Sequence, residues 1–207
     1  MTTSPPIIGL IGKKRSGKDA FARTLVDERG YVRIAFADPL RQMAAGVDPL
    51  VGRFPLPGHL QAPEDGWHLT EVLDAIGYEK AKEIPEVRRF YQRLGTDGVR
   101  AIDPGFWTRI GLQRIAATHE DRLDSRARPV VVTDVRFPNE ADGIRELGGV
   151  IVRIVRPGLV STDEHISEKA LDNYRPDYVV KNDDDLDTLA LRARIVNSHV
   201  HDDAENN

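Results

Sequence analysis

The chain has 207 residues, 40% hydrophobic and 30% charged, with a formal net charge of −4 and no cysteine. That length predicts one domain with a substantial core. The charge balance argues against a general nucleic-acid or anionic-membrane binder, no apolar run approaches the ~18 residues of a membrane span, and disulfides and thiolate metal sites are excluded. No charged region followed by a long apolar core opens the chain, so a cytoplasmic protein is expected.

Ile7, Ile8, Leu10 and Ile11 predict a short buried strand. The chain then turns on Gly12-Lys13-Lys14-Arg15-Ser16-Gly17-Lys18, the spacing G-x-x-x-x-G-K of a phosphate-cradling loop. Asp19–Glu28 follows with Phe21, Ala22, Leu25 and Val26 on one helical face. Strand, glycine loop and helix together make the motif credible. The glycines allow positive φ angles that aim backbone N–H groups into one concavity, and the helix N-terminus adds its dipole. Lys18 can reach the outer phosphates of a nucleotide. The next residue, where Ser or Thr would ligate magnesium, is Asp19. Either Asp19 holds the metal, directly or through water, or the nucleotide and other residues hold it.

Residues 31–37 alternate as a second strand, and Asp38-Pro39 opens a helix over 38–46. Eight Gly and Pro residues between 46 and 68 predict a long loop. Thr70 is placed as the cap of a helix over 71–83. Pro85 opens another helix, PEVRRFYQRLG, with Val87, Phe90, Tyr91 and Leu94 inward and Arg89 and Arg93 sharing a face. Asp103-Pro104 repeats the cap-plus-proline signal before a helix carrying Phe106, Trp107, Ile110, Leu112 and Ile115.

Val130–Asp134 is a third strand, ending on a carboxylate; 138–147 is helical; Val150–Val155 is a fourth strand and 178–180 a fifth. Asp183–Val200 reads as the last helix, with Leu186, Leu189, Ala190, Ala193 and Val196 in register, and 201–207 as a disordered tail. The Asp183–Asp185 run is read as that helix's cap. Strands alternating with helices predict an α/β fold, a five-stranded parallel sheet with helices on both faces. Ligands of such sheets sit beyond the carboxyl ends of the strands. The 12–18 loop, the 37–41 corner, the 134–140 turn and the 156–175 segment are therefore expected on one rim, with Asp134 near nucleotide-bound magnesium and Arg136 beside it. The chain holds 22 arginines against 7 lysines. Arginine's planar fork suits bidentate phosphate binding, although a coding bias produces the same excess.

Several ordered blocks resemble the deoxynucleoside monophosphate kinases of tailed bacteriophages: GKKRSGKD at 12–19, RLGTD at 93–97, VVTDVRFPNEAD at 131–142, GGVIVRIVRPG at 148–158, DEHISE at 163–168 and VVKNDDDLDTL at 179–189. The Lys18-Asp19 ending is similar to a trait of that family. The loop and the Asp-Pro-Gly-Phe stretch at 103–106 also look like animal-type phosphomevalonate kinases. The resemblance implies a P-loop kinase fold in a single domain over 1–200, with a helical acceptor-binding insertion at 45–120 and a lid at 156–175.

It also implies the reaction ATP + dNMP giving ADP + dNDP, with magnesium, as a step in phage DNA precursor supply in the host cytoplasm. The implied partners are small-molecule nucleotides, with no nucleic acid or membrane, and the family precedent implies a homodimer. Gly12, Lys13, Arg15, Ser16, Gly17, Lys18 and Asp19 would bind ATP, and Asp19 and Asp134 would organise magnesium. Lys18, Asp134 and Arg136 would be catalytic, while Asp38, Arg41, Arg89, Arg93 and Arg136 would bind the dNMP. Arg156, His165 and Glu168 would belong to the lid. The alternatives are a kinase of another small phosphate monoester, such as phosphomevalonate, or a non-catalytic nucleotide-binding module.

Overall fold

In the computed structural model, residues 5–57, 61–119, 128–159 and 169–205 are described. They fall into two compact units, residues 1–36 with 108–207 and residues 37–107.

The first unit is built on five parallel strands in the order β2-β5-β1-β6-β7. These are β1 (Ile7–Ile11), β2 (Val32–Ile34), β5 (Val130–Val132), β6 (Val150–Val155) and β7 (Tyr178–Lys181). β1 is central, with Ile8 registered against Val131 on one side and Val150 on the other. Its residues are buried throughout because both sheet faces are covered. Ile8 and Leu10 join a cluster with Phe21, Ala22 and Leu25 of α1 (Lys18–Arg29) and Leu189, Ala193 and Val196 of α7 (Leu186–Glu205). Ile7 and Ile11 join the opposite cluster, with Ile115 of α5 (Phe106–His119) and Ala141 and Ile144 of α6 (Pro138–Glu146). Gly9 is in β1 for want of room: a Cβ there would come within 2.8 Å of the tips of both Ile144 and Ile151.

The second unit has its own core, including Val51, Leu56, Trp67, Leu69, Val72, Val87 and Tyr91. It contains α2 (Asp38–Val47), α3 (Leu69–Ala81), α4 (Pro85–Gln92) and an antiparallel ribbon of β3 (Leu50–Gly52) with β4 (Trp67–His68). The 46–68 stretch is thus not wholly a loop. Its apolar Val51, Leu56 and Trp67 are buried, and the Trp67 indole donates to the Phe54 carbonyl at 2.8 Å. This unit is bounded at 37 and 107, against 45 and 120 expected for the insertion.

Several expected helix ends move for identifiable reasons. Thr70 is not the cap of α3: His68 occupies that position, its N–H bonded by Glu71, while the Thr70 N–H is taken by Asp48. The Asp103 carboxylate accepts from the Gly105 N–H, so Pro104 lies in a turn and α5 starts at Phe106. α4 continues into a π-helical stretch, Arg93–Arg100. There the Gly95 carbonyl accepts from the buried Trp107 indole at 2.9 Å. Leu186 is 70% exposed at the first turn of α7 rather than inward, and that helix continues to Glu205, into the stretch expected to be disordered.

Candidate phosphate-binding site

The parallel register brings the carboxyl ends of all five strands of the first unit to one edge, with the Gly12–Lys18 loop leaving the middle strand. The loop's curvature comes from three residues with positive φ: Gly12 at 140°, Arg15 at 66° and Gly17 at 107°. Glycine is required twice over at position 12, since a Cβ would lie 2.4 Å from the Ile154 carbonyl oxygen. Arg15 has no such freedom, and a non-glycine residue in this region costs about 1–3 kcal/mol. The Ser16 N–H bonds the Lys13 carbonyl at 3.1 Å, closing the loop, and the Phe21 N–H bonds the Gly17 carbonyl as α1 begins.

Two polar groups fit this curve to an anion. The Lys18 ammonium is folded onto the loop, donating to the Gly12 carbonyl at 2.6 Å and the Lys13 carbonyl at 2.9 Å. Ser16 is 1% exposed, and its hydroxyl has no hydrogen-bond partner among the described residues. A buried hydroxyl in that state is costly, and a phosphate oxygen would satisfy it. The side chains of Lys14, Arg15 and Asp19 are exposed around the loop, and Lys13 is ion-paired with Asp172.

Asp134 stands just beyond β5, partly buried, and accepts from the Phe36 N–H at 2.7 Å. It therefore ties the end of β2 to the end of β5 rather than capping α6. The carboxylate that turns into α6 is Glu140, almost fully buried, which accepts from the N–H groups of Arg136 and Phe137 at 2.8 and 3.1 Å. This reach-back fixes the Arg136 backbone and leaves its side chain exposed. Among the described residues no group of three or more His, Cys, Asp or Glu is gathered for a metal. The chain thus offers Asp134 and the exposed Asp19 as scattered carboxylates, a donor set that fits a magnesium ion whose remaining ligands are phosphate oxygens and water.

Two other arginines of the first unit are structural. Arg153 donates to the carbonyls of Leu171, Asp172 and Tyr174, and Arg145 holds Asp177 at 2.8 Å and the Arg175 carbonyl. They fasten residues 171–177 onto β6 and α6. Arg156 is exposed after β6, whereas His165 and Glu168 lie outside the described residues, as do 160–168 of the expected lid.

In the second unit, Arg41 is held by two partners. Its guanidinium lies 4.0 Å from the centre of the Tyr78 ring and bonds Asp38 at 3.1 Å. Tyr91 meets Tyr78 edge to face at 5.5 Å, and burial pushes its hydroxyl up to about 12. Arg89 and Arg93 are exposed, one helical turn apart.

Two residues of consequence escape the sequence reading. Tyr78 is an unremarkable aromatic in the sequence, with nothing to pair it with Arg41. Asn182 sits immediately after β7, and its side-chain amide donates to the Ser16 carbonyl at 2.9 Å. Its place after the last strand is a usable signal, but the acidic run that follows draws attention to helix capping. Asp185 does serve that purpose, accepting from the Thr188 N–H at 2.8 Å.

Residues 68–193 match the family model described as deoxynucleotide monophosphate kinase. A protein of Acanthamoeba polyphaga mimivirus is 33% identical over 177 residues, which cover 80% of this chain and 81% of that one. The deoxynucleotide monophosphate kinase of Enterobacteria phage T4 is 26% identical over an alignment 235 positions long, gaps included, that covers 88% of this chain and 95% of its own. That of Escherichia phage RB69 is 36% identical over 125 residues, 56% of this chain and 50% of its own.

Proposed function

Since this chain belongs to the deoxynucleotide monophosphate kinase family, we propose that it transfers the γ-phosphoryl group of ATP to the 5′-phosphate of a deoxynucleoside monophosphate, giving ADP and a dNDP. The observation that carries this reading is the Gly12–Lys18 loop, curved by positive φ angles and leaving the carboxyl end of the central strand. Loop N–H groups, the Ser16 hydroxyl and the Lys18 ammonium hold the phosphates of the donor. Lys18 leaves its carbonyl partners for phosphate oxygens and follows the charge that moves during transfer.

The acceptor phosphate is already nucleophilic. Its second ionisation lies near a pKa of about 6, so the dianion dominates at neutral pH and no general base is needed. What must be overcome is repulsion between anionic groups. Arg136 neutralises charge on the transferring or acceptor phosphate, and Arg41, Arg89 and Arg93 hold the acceptor. Asp38 and Tyr78 keep the Arg41 guanidinium in one orientation, so less freedom is lost on binding. Asp19 and Asp134 would hold magnesium, directly or through water, and the ion would supply charge neutralisation between the phosphates. The homodimer expected from the family belongs with this proposal, as does assignment of Arg156 to the nucleotide.

The test is a coupled assay of ADP release with dNMPs, NMPs and phosphomevalonate offered in turn. ADP formed with dNMPs is the expected outcome. ADP formed with phosphomevalonate alone would move the chain to the other phosphate-monoester reading. ATP binding without acceptor-dependent turnover would leave only a nucleotide-binding module.

A further inference from the structure

The Ser16–Gly17 peptide is able to turn over, because Gly17 has the conformational freedom of glycine and sits at φ 107°. In a trans peptide the C=O and the following N–H point in opposite directions. The direction of the Ser16 carbonyl therefore fixes the direction of the Gly17 N–H. That carbonyl accepts from the Asn182 side-chain amide at 2.9 Å. A carbonyl can only accept, so the nitrogen of the Asn182 amide must be the atom facing it.

Asn182 is itself firmly seated. Its backbone N–H donates to the Val155 carbonyl at 2.7 Å, continuing the β6–β7 ladder one step past the strand. On either side of it, Arg192 donates to the Lys181 carbonyl and to the Asp183 carboxylate. The space is closed as well: a Cβ on Gly17 would fall 2.5 Å from the Asn182 amide nitrogen and 3.2 Å from Leu189. The glycine at 17 thus serves two ends, its positive φ and the seat of this amide.

We propose that Asn182 is a positioning residue for the nucleotide donor: it holds the Ser16 carbonyl outward so that the Gly17 N–H stays turned toward the phosphates. The inference rests on the nucleotide-binding reading of the loop given above. Asn182 touches no reacting atom, and its effect runs wholly through one peptide plane. It acts on the donor side and leaves the acceptor untouched.

The experiment measures ATP binding by calorimetry and the separate KM values for ATP and dNMP, on the full chain, for wild type, Asn182→Ala and Asn182→Asp at about pH 8, with ATP binding by all three repeated at about pH 4, where an ordinary carboxyl is about half protonated. Asn182→Ala should weaken ATP binding about tenfold, the worth of one positioned hydrogen bond, and leave the KM for dNMP within about twofold. Asn182→Asp sets a carboxylate against the Ser16 carbonyl oxygen and should be weaker than the alanine variant at pH 8. Near pH ~4, relative to wild type at the same pH, it should recover toward the alanine level, because the protonated acid donates where the amide did. This pH-dependent rescue is a response that loss of packing would not produce. Circular dichroism identifies a variant that fails to fold, in which case the aspartate variant at low pH remains the deciding arm. ATP affinity within twofold of wild type in both variants, loss of ATP and dNMP affinity in parallel, or an aspartate variant indifferent to pH would each overturn the inference. Wild-type chain that binds no ATP would overturn the nucleotide reading together with it.

Discussion

The two units use their cations differently. In the first, the loop lysine is folded onto backbone carbonyls and two arginines, Arg145 and Arg153, are spent on fastening residues 171–177. In the second, Arg41 is held by a ring and a carboxylate, while Arg89 and Arg93 stay exposed. On the proposed function, the contrast separates two ways of meeting an anion. A phosphate cradle is made by backbone curvature, so it depends on glycines at fixed spacing. A clamp is made by side chains from several helices, so it depends on partners that are distant in sequence.

The largest effect should come from the cradle. Lys18→Ala is expected to lose at least ~10²-fold in turnover with the far-ultraviolet circular dichroism unchanged, since charge that moves in the transition state loses its partner. Near-wild-type turnover would remove Lys18 from the mechanism. Arg136→Ala, on the same unit but on an exposed side chain, should lose about 10- to 100-fold in kcat with ATP affinity nearly intact. Weakened ATP binding with unchanged acceptor kinetics would move Arg136 to the donor side. For the clamp, Tyr78→Leu should raise the KM for dNMP several-fold and spare the KM for ATP, since a cation–π contact at a partly exposed site is worth about 0.5–1 kcal/mol. Equal changes in both KM values would break the proposed division of labour.

Smaller effects probe the scaffold. Asp177 accepts from the Ile151 N–H at 2.7 Å as well as from Arg145. Asp177→Ala should therefore destabilise the fold by about 1–3 kcal/mol in a denaturant titration, and Asp177→Asn, which keeps an acceptor, should recover part of it. The smallest effect is a pH slope at the start of α3. His68 is raised from its ordinary 6.5, first by its hydrogen bond to the Asp48 carbonyl, and Asp48 is lowered, first by the Thr70 N–H. The His68 contribution is present in full below 6.5 and fades as the pH rises through its raised folded value, whereas that of Asp48 is present above its ordinary value and fades as the pH falls through its lowered one. His68→Ala should lower Tm slightly near pH ~6 and not near pH ~9, as read from thermal melts across that range.

What the sequence made legible follows the same contrast. The central strands were readable because both faces of the sheet are buried there, which leaves near-continuous apolar runs such as Val130–Val132, and the edge strand β2 because its residues alternate. The loop was readable because its chemistry lies in glycine spacing. The β3–β4 ribbon was hidden by strands of three and two residues among prolines and glycines, too short to show a period. The extension of α4 into a π-helical stretch is accompanied by a hydrogen bond from the Trp107 indole to a carbonyl twelve residues earlier, which no local pattern displays. Asn182 and Tyr78 were missed for the same reason: their importance lies in a contact, with Ser16 and with Arg41, and not in a residue type at a spacing.

The most direct test of phosphoryl transfer follows the phosphoryl group itself. The chain would be incubated with γ-labelled ATP and an unlabelled dNMP, and the products separated by ion exchange. Label in the dNDP, absent when Lys18→Ala replaces wild type, is the predicted result. Label released only as inorganic phosphate, or retained in ATP whatever acceptor is supplied, would contradict it.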